Sequence, residues 1–272
     1  MALTITAKEP TNSRLVATDQ AGHWYTAEGE SAHVVIGKNG KERNTTVADA
    51  RQMGLYPSVT SVLGIMDKPQ LTAWKIEQAI MSSLTLPKEA DETLEAYAKR
   101  IVKDSRESTT KAAEHGTRMH TEMENILLER ACSTDEILKP YIETFREWAS
   151  KNVEKTYWCE KGLVGAGYAG RCDAYVKLRG VGDAIIDLKN RKVNPKYDPF
   201  YDTDCAQLWA YRAASENPKC ACVSVVLASN DATKLTTKVW DEDELYQAGI
   251  AFCAMQKVWA WVKGYTPPGM KL

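Results

Sequence analysis

No apolar run in this chain approaches the ~20 residues that a membrane-spanning helix needs. The beginning of the sequence has no apolar core of the kind a secretion signal carries. A single-sign charge excess is also missing. The formal net charge is −1, so no overall basic field marks a protein that coats nucleic acid, although a local basic channel remains compatible with it. The seven cysteines form no CxxC pair, and Cys220-Ala221-Cys222 is too tight for an ordinary zinc knuckle. Their odd number argues against a closed disulfide framework, so they read as reduced thiols in a cytoplasmic protein. Internal repeats and low-complexity tracts are absent too. What remains is an ordinary globular composition over 272 residues, 44% of them hydrophobic, which is enough chain to bury a sizeable core.

Residues 1–56 alternate apolar and polar between turn signals at 19–22, Gly29 and 38–41, and read as a β-rich lead-in. Ala32-His33-Val34-Val35-Ile36 followed by Asn39-Gly40 predicts a hairpin. Tyr56-Pro57-Ser58-Val59-Thr60 opens a helix with Ser58 as its N-cap. Pro69 fits the first turn of the next, which carries Leu71, Trp74, Ile76 and Ile80. Residues 88–106 read as a charged, exposed helix, and 109–130 and 135–150 as two further helices. Strands are expected at 155–164, 168–178 and 183–190, then a polar loop, a helix at 203–215, and strands at 223–229 and 235–240. A closing helix at 241–264 sets Leu245, Ile250, Phe252, Met255, Val258 and Trp259 toward a Trp-rich core. This order predicts an α/β fold with a central mixed β-sheet flanked by helices, carrying an N-terminal β/helical elaboration.

The most informative stretch is Ala184-Ile185-Ile186-Asp187-Leu188-Lys189. Side chains alternate along a strand, so Ile185, Asp187 and Lys189 share one face. Lone buried charges are costly. An acid and a base two apart therefore form an ion pair, or a carboxylate for a divalent cation with an ammonium to neutralise developing charge. Asp173 lies on the preceding strand, and Arg179-Gly180-Val181-Gly182 turns that strand back. The three groups can meet at one end of a hairpin.

Asp173 with Asp187-Leu188-Lys189 resembles the core of the PD-(D/E)xK nucleases. Further pieces agree in order. Gly116-Thr117-Arg118-Met119-His120-Thr121-Glu122-Met123-Glu124 resembles the family's upstream G-x-x-x-H-x-x-x-E helix. Gly170-Arg171-Cys172-Asp173 looks like its G-x-x-D, and Gln207-Leu208-Trp209-Ala210-Tyr211 like its Q-x-x-x-Y. Together they point to the RecB-like exonuclease branch, over roughly residues 56–215. Tyr56-Pro57-Ser58-Val59-Thr60 with Leu71 and Trp74 is similar to phage-encoded and mitochondrial genome-maintenance exonucleases. The signature proline before the first acid is missing, as are the iron–sulfur cysteines of some relatives. The resemblance implies a restriction-endonuclease-like core in residues 57–272, a helical arch at about 69–110, and a bacterial or phage-infected cell as the setting.

Each piece also has a physical reading. His120, Met123, Glu124 and Leu127 share a helix face, which turns His120 inward as a nitrogen ligand beside the carboxylates, with Glu124 to orient it or hold a water. Asp173, Asp187, the Leu188 carbonyl and His120 are then the candidate ligands of Mg²⁺ or Mn²⁺, and Lys189 the group that positions water. Gln207 and Tyr211, one turn apart, would brace Lys189 or touch DNA. Arg191 and Lys192 would clamp a phosphate. Glu160 is a further acidic neighbour. Singly, each has a plainer reading. Asp187 and Lys189 would be an ion pair at a strand end, His120 a core histidine, and Gln207 and Tyr211 an ordinary helix face. Glu124 would be a partner of Arg118 or Arg130, and Glu160 and Arg191 solvated charges. The agreement of four pieces in order and spacing favours nuclease chemistry.

The expected activity is metal-dependent exonucleolytic hydrolysis of DNA from free, single-stranded ends, in replication, recombination or repair. The alternatives are a structure-specific endonuclease, a recombination exonuclease that resects duplexes as a ring homo-oligomer, and a non-catalytic DNA-binding module. The intact Asp173, Asp187 and Lys189 speak against the last.

Overall fold

The computed structural model describes residues 22–37, 39–66 and 69–271, with the backbone alone at 70 and 106–113. The turn expected at 19–22 lies almost wholly outside these residues. The lead-in comprises β1 (Trp24–Tyr25), β2 (Val34–Ile36), β3 (Glu42–Asn44), α1 (Val47–Met53) and β4 (Tyr56–Pro57). β2 and β3 form the hairpin that Asn39-Gly40 predicts, with Gly40 at φ 73 in the turn. α2 (Val59–Leu63) begins at Ser58, whose hydroxyl accepts the Ser61 N–H at 2.9 Å, a side-chain cap on an otherwise unpaired donor. α3 (Pro69–Thr85) starts at Pro69, where a missing N–H costs nothing.

α4 (Leu94–Leu127) is one continuous helix of 34 residues, about 51 Å long. The apolar pattern predicts two helices here, 88–106 and 109–130, and the structure joins them. No Gly or Pro falls between 94 and 115, so nothing breaks the backbone where the apolar pattern fades. α5 (Lys139–Asn152) follows, then β5 (Val153–Gly165), β6 (Tyr168–Leu178), β7 (Gly182–Arg191), α6 (Asp202–Ala214), β8 (Ala221–Ala228), β9 (Leu235–Trp240) and α7 (Glu242–Lys263).

The last five strands form one mixed sheet in the order β5-β6-β7-β8-β9, parallel only between β7 and β8. A parallel pair needs a crossover, and α6 supplies it. The sheet is covered on both faces. Met119, Met123, Ile142 and Phe145 of α4 and α5 pack on Ala174, Val176, Ile186 and Leu188. On the other face Leu208, Phe252 and Trp259 of α6 and α7, with Val59 and Val62 of α2, cover Ile185 and Cys222. β7 is therefore apolar on both faces from Ala184 to Ile186, just before Asp187. On α7, Ile250 and Val258 differ from the expected apolar face, and Trp261 lies outside it as well. They point to solvent, Trp261 being 83% exposed, because the buried stripe runs through Leu245, Phe252, Met255 and Trp259 instead.

The lead-in is fastened to β6 by the bridge Ser58↔Ala169 and to β5 by a close backbone approach. Gly29, at φ 81, lies against Gly162. A Cβ on Gly162 would come within 2.1 Å of the Gly29 carbonyl oxygen. Gly162→Ala is expected to destabilise the protein by about 2 kcal/mol and lower its melting temperature by about 5 °C. An unchanged melting curve would mean that the two backbones do not touch.

Candidate metal centre

β6 and β7 pair from Leu178↔Gly182 to Ala174↔Ile186, and there the ladder stops. Asp173 is the next residue. Its Oδ2 accepts the Leu188 N–H at 2.6 Å, so the carboxylate takes the place of a strand partner. Its Oδ1 faces His120 Nδ1 at 3.9 Å. α4 delivers His120 because Met119, Met123 and Leu127 anchor that face of the helix in the core, leaving His120 and Glu124 at its half-buried rim. Burial lowers the imidazole's proton affinity, Asp173 opposes this and Lys189 adds to it. The net direction keeps the ring neutral and able to donate a lone pair.

Glu160 completes the cluster. Ligand atoms of His120, Glu160 and Asp173 all lie within 4.8 Å of one another. On β5, Cys159 and Lys161 pair with Ala174 and Cys172, so Glu160 stands across from Asp173. It does so at φ 50, a left-handed conformation that costs a non-glycine residue about 1–3 kcal/mol and is concentrated at functional sites. Burial, then the negative charges of Asp173 and Glu124, push its carboxyl up to about 7. Cys159 beside it is pushed up to about 12, mainly by burial and then by Glu124 and Glu160. These acids crowd one spot, and the cation nearest Glu160, Arg171, is a loose partner at 4.0 Å.

Asp187 lies next to the cluster, not in its tightest part. Its Oδ1 is 2.6 Å from Lys189 Nζ, while its Oδ2 is buried without a hydrogen-bond partner among the described residues. Burial raises its proton affinity, Lys189 pulls it down, and Asp173 and Asp204 raise it again. The Lys189 ammonium is held in its charged form by Asp187 and Asp173 despite burial. Lys189 also reaches Gln207 Oε1 at 3.4 Å, and Gln207 Nε2 donates to the Tyr211 hydroxyl at 3.3 Å. Tyr211 is 4% exposed, so in this arrangement it braces Gln207 and presents no ring to a base. Gly170 makes room for it, since a Cβ there would lie 2.9 Å from the Tyr211 ring.

Arg191 differs from its plainer sequence reading, whereas Glu124 has the Arg130 partner that its plainer reading names. Arg191 is neither solvated nor free for a phosphate. It pairs with buried Asp204 at 2.9 Å, donates to the Pro199 carbonyl and covers the Tyr201 ring at 4.3 Å, which pins the loop after β7. Glu124 accepts from Arg130 at 3.2 Å, while Arg118 turns to Asp135. Asp204 was missed, because an acid thirteen residues from its arginine leaves no local pattern.

The donor set fits a divalent cation. It offers one neutral nitrogen, carboxylate oxygens from two strands that repel one another, and an idle buried oxygen on Asp187. An imidazole ligand favours Mn²⁺ over Mg²⁺, which prefers oxygen. His120→Ala is accordingly expected to raise the Mn²⁺ concentration for half-saturation about tenfold and to shrink the Mn²⁺ preference. Calorimetric titration checks this, and an unchanged affinity would return His120 to the ordinary core.

The chain matches no family model and no curated protein. It has a distant likeness to a solved structure described as "Crystal structure of SSO0001", 13% identical, covering 68% of this chain and 87% of that one, with a TM-score of 0.28. A likeness at that score carries no argument about either fold or function.

Proposed function

We propose that the protein is a metal-dependent DNA nuclease of the PD-(D/E)xK type, with a restriction-endonuclease-like core, that degrades single strands from free ends. The observation carrying this reading is the joint geometry at the β6–β7 divergence. Asp173, Glu160 and His120 converge within 4.8 Å, and the Asp187–Lys189 pair sits beside them on the next strand. A single ion pair at a strand end would not need the other three groups.

When bound, Mg²⁺ or Mn²⁺ supplies Lewis-acid polarisation of a phosphoryl oxygen and eases deprotonation of water. Asp173, Glu160 and His120 would hold it, with Asp187 adding its idle oxygen and the Leu188 backbone adjoining. Lys189 places a positive charge where negative charge develops on the phosphorus oxygens. Gln207 and Tyr211 fix the direction of that ammonium. The Asp173–Leu188 hydrogen bond holds the first carboxylate in line with the second strand.

The preference for free ends rests on the helical hairpin of α3 and the outer half of α4. α3 packs on α4, and Tyr97 ties the two together by donating to the Ser83 and Leu86 carbonyls at 2.9 and 3.0 Å. The basic residues of this hairpin are only in part free to draw phosphates. Arg100 is held by Glu92 at 2.7 Å and by the Pro87 carbonyl, Lys99 pairs with Glu95, Lys103 is exposed, and the Arg106 side chain lies outside the described residues. The test is digestion of end-labelled linear single-stranded, linear duplex and circular single-stranded DNA with Mn²⁺, Mg²⁺ or EDTA. Metal-dependent loss of linear single strands with circles intact is expected. Rapid cutting of circles would favour a structure-specific endonuclease, and no metal-dependent cleavage of any substrate would overturn the nuclease reading.

A further inference from the structure

On the lead-in side of the metal cluster stands a set of side chains that this chemistry does not use. The rings of His23 and His33 stack, with centroids 4.6 Å apart and planes 16° from parallel. Tyr25 meets His33 edge-on at 5.1 Å. Gly29, in the turn after Tyr25, lies against Gly162, the strand partner of Arg171, so the lead-in here reaches the strands that carry Arg171 and Glu160. The Arg171 side chain, 46% exposed, leans toward Glu160. These residues thus form an unbroken row from the exposed His23 ring to the acids of the centre. The close approach of Gly29 to Gly162 already fastens the lead-in, so the row is not needed as an anchor.

The chemistry of the row is specific. His33 Nδ1 accepts the Trp24 N–H at 3.0 Å, which leaves the proton of the neutral ring on Nε2 as a donor. Burial is the main cause that lowers the proton affinity of His33, the Trp24 backbone opposes it, and the Arg171 guanidinium, charged at any ordinary pH, is near enough to add to it. Basic groups gathered in this way favour an anion among them. An open imidazole face favours a flat ring on top of it. A ligand with an anion and a flat ring one step apart is a nucleotide.

We propose that His23, His33 and Arg171 form a nucleotide subsite at the lip of the metal centre. Arg171 and the His33 Nε2–H hold the phosphate of the nucleotide adjoining the scissile bond, and the His23 ring stacks on its base. This rests on the nuclease reading and extends it, since it makes the lead-in part of the substrate channel. Glu160 links the two functions. It lies 4.0 Å from the Arg171 Nε, and that half-exposed side chain can turn to a substrate phosphate with or without a cation at the centre.

The test measures binding without cleavage. A fluorescent single-stranded DNA of about 12 nucleotides is titrated in EDTA with the full chain, His23→Ala and His23→Phe, and melting curves confirm that each is folded. His23→Ala is expected to weaken binding about tenfold, and His23→Phe, which keeps a flat face, to restore it. In cleavage assays the same loss should appear in KM and leave kcat unchanged. Arg171→Ala should lower the slope of log affinity against log salt by about one. If wild type and His23→Ala bind alike, the subsite is wrong while the nuclease reading stands. If wild type binds and cuts no single-stranded DNA, both fall.

Discussion

Asp173→Ala is expected to lower the cleavage rate by about a thousandfold or more, with the protein still folded. The size follows from what the carboxylate does. It faces His120 and accepts from the backbone of the β7 strand, so its loss removes a ligand and uncouples the two halves of the site. A metal contributes several kcal/mol of transition-state stabilisation, and each 1.4 kcal/mol or so is tenfold in rate. The fold is affected less. The Leu188 N–H loses its acceptor, which costs about 1–3 kcal/mol, but Glu160 is relieved of its largest negative neighbour. Mn²⁺ should raise the melting temperature of the wild type by linkage and have little effect on the variant. Parallel melting curves with and without Mn²⁺ check this, and equal metal stabilisation of both proteins would remove Asp173 from the ligand set.

Lys189→Ala carries the second large effect, and it falls on stability as well as rate. The substitution leaves Asp187 buried with neither oxygen paired, a situation that costs about 3 kcal/mol or more. Burial has already raised this carboxyl's proton affinity, and removing the ammonium raises it further. A carboxyl whose folded pKa lies above its unfolded value loses stability as pH rises through that range. The wild-type carboxyl already titrates at about 7, so the deficit of Lys189→Ala should be smallest in acid, where both proteins carry it protonated, and should grow as pH rises through and above neutral. Activity is expected to drop about 100- to 1,000-fold, while Mn²⁺ still binds, because an ammonium cannot ligate it. Urea unfolding at two pH values measures the first part. A deficit that does not grow from acid to alkaline pH would mean that the ion pair is not formed.

The hairpin that holds Asp173 and Asp187 could be read directly, because apolar alternation on β6 and a doubly buried run on β7 leave few other placements for two acids. The flanking helix that presents His120 was also legible, but its length was not. Polar residues 104–114 interrupt the apolar stripe, and continuity of α4 depends only on the absence of a breaker. Glu160 was named as a neighbour and then weighed as a solvated charge. Its approach to Asp173 needs a left-handed backbone at a glutamate, which no turn residue announces. Arg191 and Asp204 find each other across a loop, and the stack of His23 on His33 joins residues ten apart around a turn at Gly29. Contacts of that kind are decided by tertiary packing, and spacing carries no trace of them. Trp259 and Trp261 make the same point on α7. Two positions apart on a helix, one is buried and the other faces solvent.

The most direct measurement is cleavage of end-labelled linear single-stranded DNA by wild type, Asp173→Ala and Lys189→Ala purified in parallel, with Mn²⁺ or with EDTA. A metal-dependent nuclease centred on these residues predicts release of labelled nucleotides by wild type with Mn²⁺ alone, and almost none by either variant. Cleavage by wild type in EDTA, or cleavage by Asp173→Ala at the wild-type rate, would contradict it.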